Sequence, residues 1–309
     1  MINMPLIKTS IEQFIADLNS KNIKVTFCEG ITPLEQRGQV CKLVAIQVVQ
    51  EYLFKKGLHT QAPLPVNKNH NPLFHSSLRK KAKLETNSKV GEIYGAAQIK
   101  KVSEYNGFNT RSYQLFNEID YLDFLLYVLD NKHPIITYFD VSMAFESNPG
   151  EPVIRQGSFE HAAVIAGYYY EHEQLQLIAL QWGKYYNFSA SALFASTAQL
   201  SAYKEPEHYQ KYYFFPTKFP KHSWLETSQF SQALDRYCSN KLSRSFFTVL
   251  NFIWPKSRSR TSTPPTDASG TLANWLTVIH GCRSELDLEC FQNFSFDKMS
   301  REHVYTPTP

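Results

Sequence analysis

The sequence predicts an α+β protein in which a helical half, built round one apolar helix, packs on an antiparallel sheet. Three observations carry that expectation. Residues 41–54 are apolar almost all round a helix, a pattern that belongs inside a domain rather than on its surface. Residues 161–168 and 175–182 are apolar runs on either side of Glu171-His172-Glu173, with Leu175, Leu177 and Ala179 alternating as in a β-hairpin. The composition can fill a core: the 309 residues are 43% hydrophobic and include 22 Phe and 18 Tyr, too aromatic for a disordered chain.

The elements follow in order. A Thr9-x-x-Glu12 capping box starts a helix over 10–18, with Ile11, Phe14, Ile15 and Leu18 on one face. Residues 23–27 alternate as a short strand, and the helix over 41–54 stops before Gly57. Residues 59–90 are rich in Pro and Asn and carry Arg79-Lys80-Lys81-Ala82-Lys83. They read as a polar, solvated insertion with one exposed basic helical turn. His59, His70 and His75 lie there at no metal-ligand spacing and are expected on the surface. A helix near 96–105 and another over 121–129, capped by Asp120, precede a buried strand at 134–139. A polar loop over 142–157 leads to the strand that His161 opens, and Ser189 caps a helix carrying Leu193 and Phe194.

A strand at 208–215 ends at Pro216, and the pattern beyond it turns helical. A segment over 227–254 stops at Pro255, 257–270 is a Ser/Thr/Pro-rich linker, and a short helix over 272–280 ends at Gly281. Glu285, Asp287 and Glu289 then form an acidic stretch. The expected organisation is a main domain over 1–216 with 59–90 inserted, a helical extension over 217–256, the linker, and a short helical tail over 271–309.

Charge and cysteine usage exclude several classes. A formal net charge of +4, dispersed along the chain, predicts no nucleic-acid partner. The cysteines at 28, 41, 238, 282 and 290 form no CxxC pair, so neither a zinc ribbon nor a disulfide scaffold is expected. Met1-Ile2-Asn3-Met4-Pro5 has no basic n-region or apolar core, and no run approaches the ~18 apolar residues that span a bilayer. The expectation is a cytoplasmic protein, or one secreted without a cleavable signal.

The chemistry centres on Cys41. A polar loop, Glu35-Gln36-Arg37-Gly38-Gln39-Val40, delivers it to the start of the apolar helix. The positive end of a helix dipole favours a thiolate over a thiol. Far downstream His161 opens its strand, and the order nucleophile, then histidine, suits Cys/His catalysis.

The stretches Gln36-x-x-Gln39-x-Cys41, Glu160-His161-Ala-Ala-Val-Ile-Ala-Gly167-Tyr168 and Leu180-Gln181-Trp182-Gly183 resemble the papain-like cysteine peptidases. The resemblance is nearest the branch that processes bacteriocin leader peptides and related bacterial effector proteases. It spans about residues 23–216 and is one of motif order. It implies a papain-like fold, no cofactor, and thiol-dependent acyl chemistry on a protein or peptide, host proteins included. That chemistry is peptide or isopeptide hydrolysis, or deamidation or transglutamination of a glutamine, since only the acyl acceptor differs.

In that reading Cys41 is the nucleophile and His161 the base. Gln36, with Gln39 in reserve, supplies an oxyanion contact beside the Cys41 backbone N–H. The family carries its oxyanion glutamine where this chain has Glu35, and carries Asn or Asp where it offers Gln181, with Asn187 slightly later. Gln181 is the first choice to orient the imidazole, Asn187 and a bare dyad are the alternatives, and Trp182 would shield that contact from water. The departures from pattern support a rival, a catalytically inactive papain-like binding module. A third reading takes the aromatic run 246–254, flanked by Arg244, Lys256, Arg258 and Arg260, as a membrane-associated scaffold contact, against simple packing on the main domain.

Overall fold

The computed structural model describes residues 6–36, 40–67, 77–86, 91, 93, 95–143, 146–155, 157, 159–200 and 272–283. Helix α1 (Ile11–Ser20) is capped by Ser10, whose Oγ accepts from Gln13 N at 3.2 Å, so Ser10 and not Thr9 takes the capping role. Strand β1 (Val25–Phe27) follows, then α2 (Cys41–Lys55), which is buried nearly all round as its composition requires. After α3 (Leu78–Thr86) and α4 (Ala96–Ser103) come β2 (Asn109–Gln114) and α5 (Glu118–Asp130). Helix α5 begins earlier than the sequence suggests, because Asn117 caps it by accepting from Ile119 N, in place of Asp120. Strands β3 (Ile135–Val141), β4 (Pro152–Val153), β5 (Glu160–Glu171), β6 (Gln174–Gln181) and β7 (Lys184–Ser189) follow. Helix α6 (Ala190–Ala198), capped by Ser189, and β8 (Trp275–His280) complete the described elements.

The class is α+β as expected: helices on one mixed-order antiparallel sheet. Strand order is β2-β8-β3-β5-β6-β7, with β1 added to β5 and β4 to β3. One edge of β5 pairs with β3 through Glu160–Ile165 and with β1 through Gly167–Tyr169, while its other edge follows β6. The handover falls at a bulge between Ile165 and Gly167, where Cys28 N donates to Ala166 O at 2.7 Å. Gly167 is required there, since a Cβ would stand 2.4 Å from Thr26 O. Helix α2 lies against β5 and is tied to its surroundings by Tyr52 OH donating to Lys132 O (2.8 Å) and Gln50 Nε2 to Ser103 O (2.6 Å).

Three expectations are corrected. The segment 272–280, read as a short helix, holds the strand β8, inserted between β2 and β3. All six residues of Trp275–His280 are buried, and a short apolar run buried on both faces has no periodicity to distinguish strand from helix. A hydroxyl cluster fixes it: Tyr138 OH donates to Thr277 Oγ1 at 2.7 Å, and Thr277 meets Ser112 Oγ at 2.8 Å. The 59–90 insertion is not simply solvated. Its basic run lies in α3, where Leu78 and Ala82 are buried and burial lowers the Lys83 ammonium to about 8. His59 is buried rather than on the surface: it stacks on Phe108 at 3.8 Å, Nε2 donating to Asn106 O and Nδ1 accepting from Cys282 N. The expectations at 208–215, 217–256 and 257–270, the His70 and His75 positions, the membrane contact at 244–260 and the acidic stretch lie outside the described residues. Among the described residues no helix is long and apolar enough to cross a membrane.

At the end of the sheet formed by the start of β3 and the end of β8, His133 and His280 face one another, ring centroids 5.3 Å apart and both buried. His133 Nδ1 lies 3.2 Å from Pro134 O, while His133 Nε2 and both ring nitrogens of His280 find no partner among the described residues. Burial depresses His133 to about 4; burial and the neighbouring His133 and Arg111 depress His280 to about 3. Both rings bind a proton more weakly folded than unfolded. Their stability is therefore complete above about pH 6.5 and is lost as pH falls from there towards 3–4, about 3 kcal/mol from His133 alone. Urea midpoints between pH 7.5 and 4 should fall steadily; His133→Asn should flatten that slope.

Candidate active site

The first residue of α2 is Cys41. Its N-cap, Val40 at φ −145°, makes no side-chain capping hydrogen bond, and Cys41 stands at the positive end of the helix. The thiol is buried, at 5% exposure, and is not in a disulfide. It lines a small cleft with Gln36, Ala162, Leu180, Gln181 and Trp182. Gln36 reaches the cleft because the chain at Glu35 lies on the β6–β7 turn. A Cβ on Gly183 would come 3.3 Å from Glu35 Cα, so glycine there permits the close approach.

That turn is tight. Trp182 (φ +48°) and Gly183 (φ +74°) are the two residues between β6 and β7, as in a type I′ hairpin. The left-handed region is costly for a tryptophan, about 1–3 kcal/mol, and the indole recovers contacts with His161 (5.2 Å) and Tyr186 (6.2 Å). His161 lies behind it. Its ring meets Phe139 edge-on at 5.8 Å, and it is 4% exposed and not part of the cleft lining.

Oppositely charged neighbours join the two halves. Lys42 follows Cys41, Glu160 precedes His161, and Lys42 Nζ meets Glu160 Oε1 at 2.8 Å with side chains 3% and 19% exposed. A buried pair of this kind fixes register more than it adds stability. Asp140, paired with Glu160 across β3 and β5, accepts from Gly157 N (2.7 Å), Phe159 N (2.9 Å) and Gln199 Nε2 (2.8 Å). It thereby shapes the turn that delivers Glu160 and His161.

Burial, and then the Lys42 charge, push His161 down to about 3, with a hydrogen bond from the Gln181 side chain acting in the opposite sense. Yet His161 Nε2 and Gln181 Oε1 both lack a partner at hydrogen-bond geometry among the described residues. Gln181 therefore neighbours the ring without a hydrogen bond between these two atoms. Burial and the Lys42 charge both favour the neutral ring.

Of the residues singled out in the sequence, Cys41, Gln36, Gln181 and Trp182 meet at one cleft, with His161 against Trp182. Asn187 sits on β7 opposite Ile178 and beside Tyr169, away from this group. Gln39 lies outside the described residues. Sequence reasoning missed Lys42 and Glu160, although opposite charges beside the two singled-out residues were a visible signal. The ring of His161 should remain neutral between pH 5 and 8 by NMR titration. Lys42→Gln should raise its proton affinity by removing a repelling charge, as far as loss of the ion pair leaves the fold intact.

No family model matches the chain, and no curated protein matches it. Among solved structures it is similar to the digestive procathepsin L2 proteinase from Tenebrio molitor larval midgut, at 15% identity and a TM-score of 0.31. The match covers 52% of this chain and 59% of that one, so the chain spans little more than half of that protein's length. A superposition this loose decides nothing about chemistry.

Proposed function

We propose that the protein is a papain-like thiol hydrolase or acyl transferase acting on a protein or peptide, with Cys41 as nucleophile and His161 as base. The observation that carries the reading is the Cys41 cleft. It holds a thiol at a helix start with Gln36, Gln181 and Trp182, and the Lys42–Glu160 pair ties that helix to the strand start bearing His161. The thiol gives its proton to His161 as sulfur attacks the acyl carbon, the oxyanion is met by Gln36 and the Cys41 N–H, and the imidazolium returns the proton to the leaving amine. Water then releases the acyl group as an acid, or an amine takes it as an amide. Peptide or isopeptide hydrolysis, glutamine deamidation and transglutamination share this first step.

The low basicity of His161 shapes the mechanism. The imidazolium holds its proton weakly, so it returns it readily to the leaving amine. The free space at the cleft is about that of a single water molecule, so its own side chains nearly fill it. The role of a secreted effector in a host cell belongs to this proposal and rests on the sequence alone.

The same low basicity favours a second reading, a binding module on an inactive site, and one experiment separates them. Alkylation of the native full-length chain with iodoacetamide, followed peptide by peptide in a mass spectrometer, has internal references. Cys282 is exposed, and Cys28 is buried with its thiol pushed up to about 12. Cys41 should label far faster than Cys28, and His161→Ala should slow it about a hundredfold, the low end of general-base effects. Cys41 labelling as slow as Cys28, in wild type and His161→Ala alike, would leave the binding module.

A further inference from the structure

We propose that Gly150 is a positioning residue of this site. Its carbonyl holds the Gln181 amide so that Oε1 is presented to His161, which selects the Nε2–H tautomer and leaves Nδ1 free as the base. The inference deepens the thiol-hydrolase reading and rests on it for the role of the base.

The geometry is specific. Gln181 Nε2 donates to Gly150 O at 2.7 Å in a buried setting, which commits the nitrogen of the amide to the loop. The other end of the amide, Oε1, is left without a partner among the described residues, as is His161 Nε2. An amide oxygen only accepts, so a hydrogen bond between it and the imidazole requires a proton on the ring. The tautomer of His161 is thus decided by which way Gln181 points, and Gly150 decides that.

Position 150 has no alternative occupant. Its φ is +94°, where glycine is the low-cost residue. Beyond the backbone, a Cβ would lie 2.4 Å from Tyr186 Cε1 and 2.8 Å from Gln181 Nε2 itself. A methyl group would therefore displace the amide it now holds. Ser142, 3% exposed, fixes the loop in turn. Gly150 N donates to Ser142 O at 2.9 Å, and Glu151 N donates to Ser142 Oγ at 3.1 Å while the hydroxyl donates to Asn148 O.

The test reads the tautomer directly, from nitrogen-15 shifts and couplings of the His161 ring in the full-length protein. Wild type should show the Nε2–H form, and Gly150→Ala and Gln181→Leu should each populate the Nδ1–H form. A purely structural glycine would lower stability and leave the tautomer alone. Should Gly150→Ala fail to fold, Ser142→Ala is the milder variant and should shift the tautomer in the same direction. Cys41 alkylation should slow roughly ten- to a hundredfold in Gly150→Ala, the usual cost of losing an orienting partner, and add nothing further in a Gln181→Leu background. An Nδ1–H ring in the wild type, or an unchanged tautomer in the folded variants, overturns the assignment. Because the tautomer is read without any reaction at Cys41, that failure is distinct from failure of the thiol chemistry.

Discussion

A strand that pairs along one edge with a single neighbour and along the other with two must break somewhere, and in β5 it breaks at Ala166. The bulge ends the pairing with β3, and its carbonyl is taken by Cys28 N at the end of β1. Everything at the site inherits its position from this arrangement. Upstream of the bulge, the register with β3 sets Phe139 opposite His161, and on the other edge β6 runs past Val164 to Gln181 and the turn that begins at Trp182. Helix α2 packs on the same strand, so its first residue and the strand's second are placed by one element. The absence of a side chain at Gly167 makes the close approach of β1 feasible.

Electrostatics then oppose what packing achieves. The Lys42–Glu160 pair closes the junction between helix and sheet, but its cation lowers the basicity of the imidazole next door. Burial works in the same direction, and only the Gln181 amide works against it. The site is well assembled and poorly charged at rest.

Much of this was legible in the chain. The apolar helix after Cys41, the hairpin around Glu171-His172-Glu173 and the Ser189 cap are local features with local physics, and the structure has all three. What was not legible depends on distant partners. Strand β8 reads as a helix because total burial erases its periodicity, and β7 follows a two-residue turn whose first residue, a tryptophan, carries no turn signal. His59 reads as polar because its hydrogen bonds come from Asn106 and Cys282. Gly150 is one glycine among twelve until the amide it holds is seen.

Strand β8 also sets an order of events. Its Thr277 hydroxyl meets that of Ser112 across 165 positions of sequence, and the strand lies between β2 and β3 rather than at a margin. As the chain leaves the ribosome, β3, β5, β6 and β7 can assemble while one edge of β3 stays open, with unpaired N–H and C=O groups that invite other chains. The last described strand to be made fills the gap and brings β2 into the sheet. Closure of so long a loop is slow relative to the hairpins that precede it. The sheet is therefore complete only once β8 has been made, because β2 joins it through that strand.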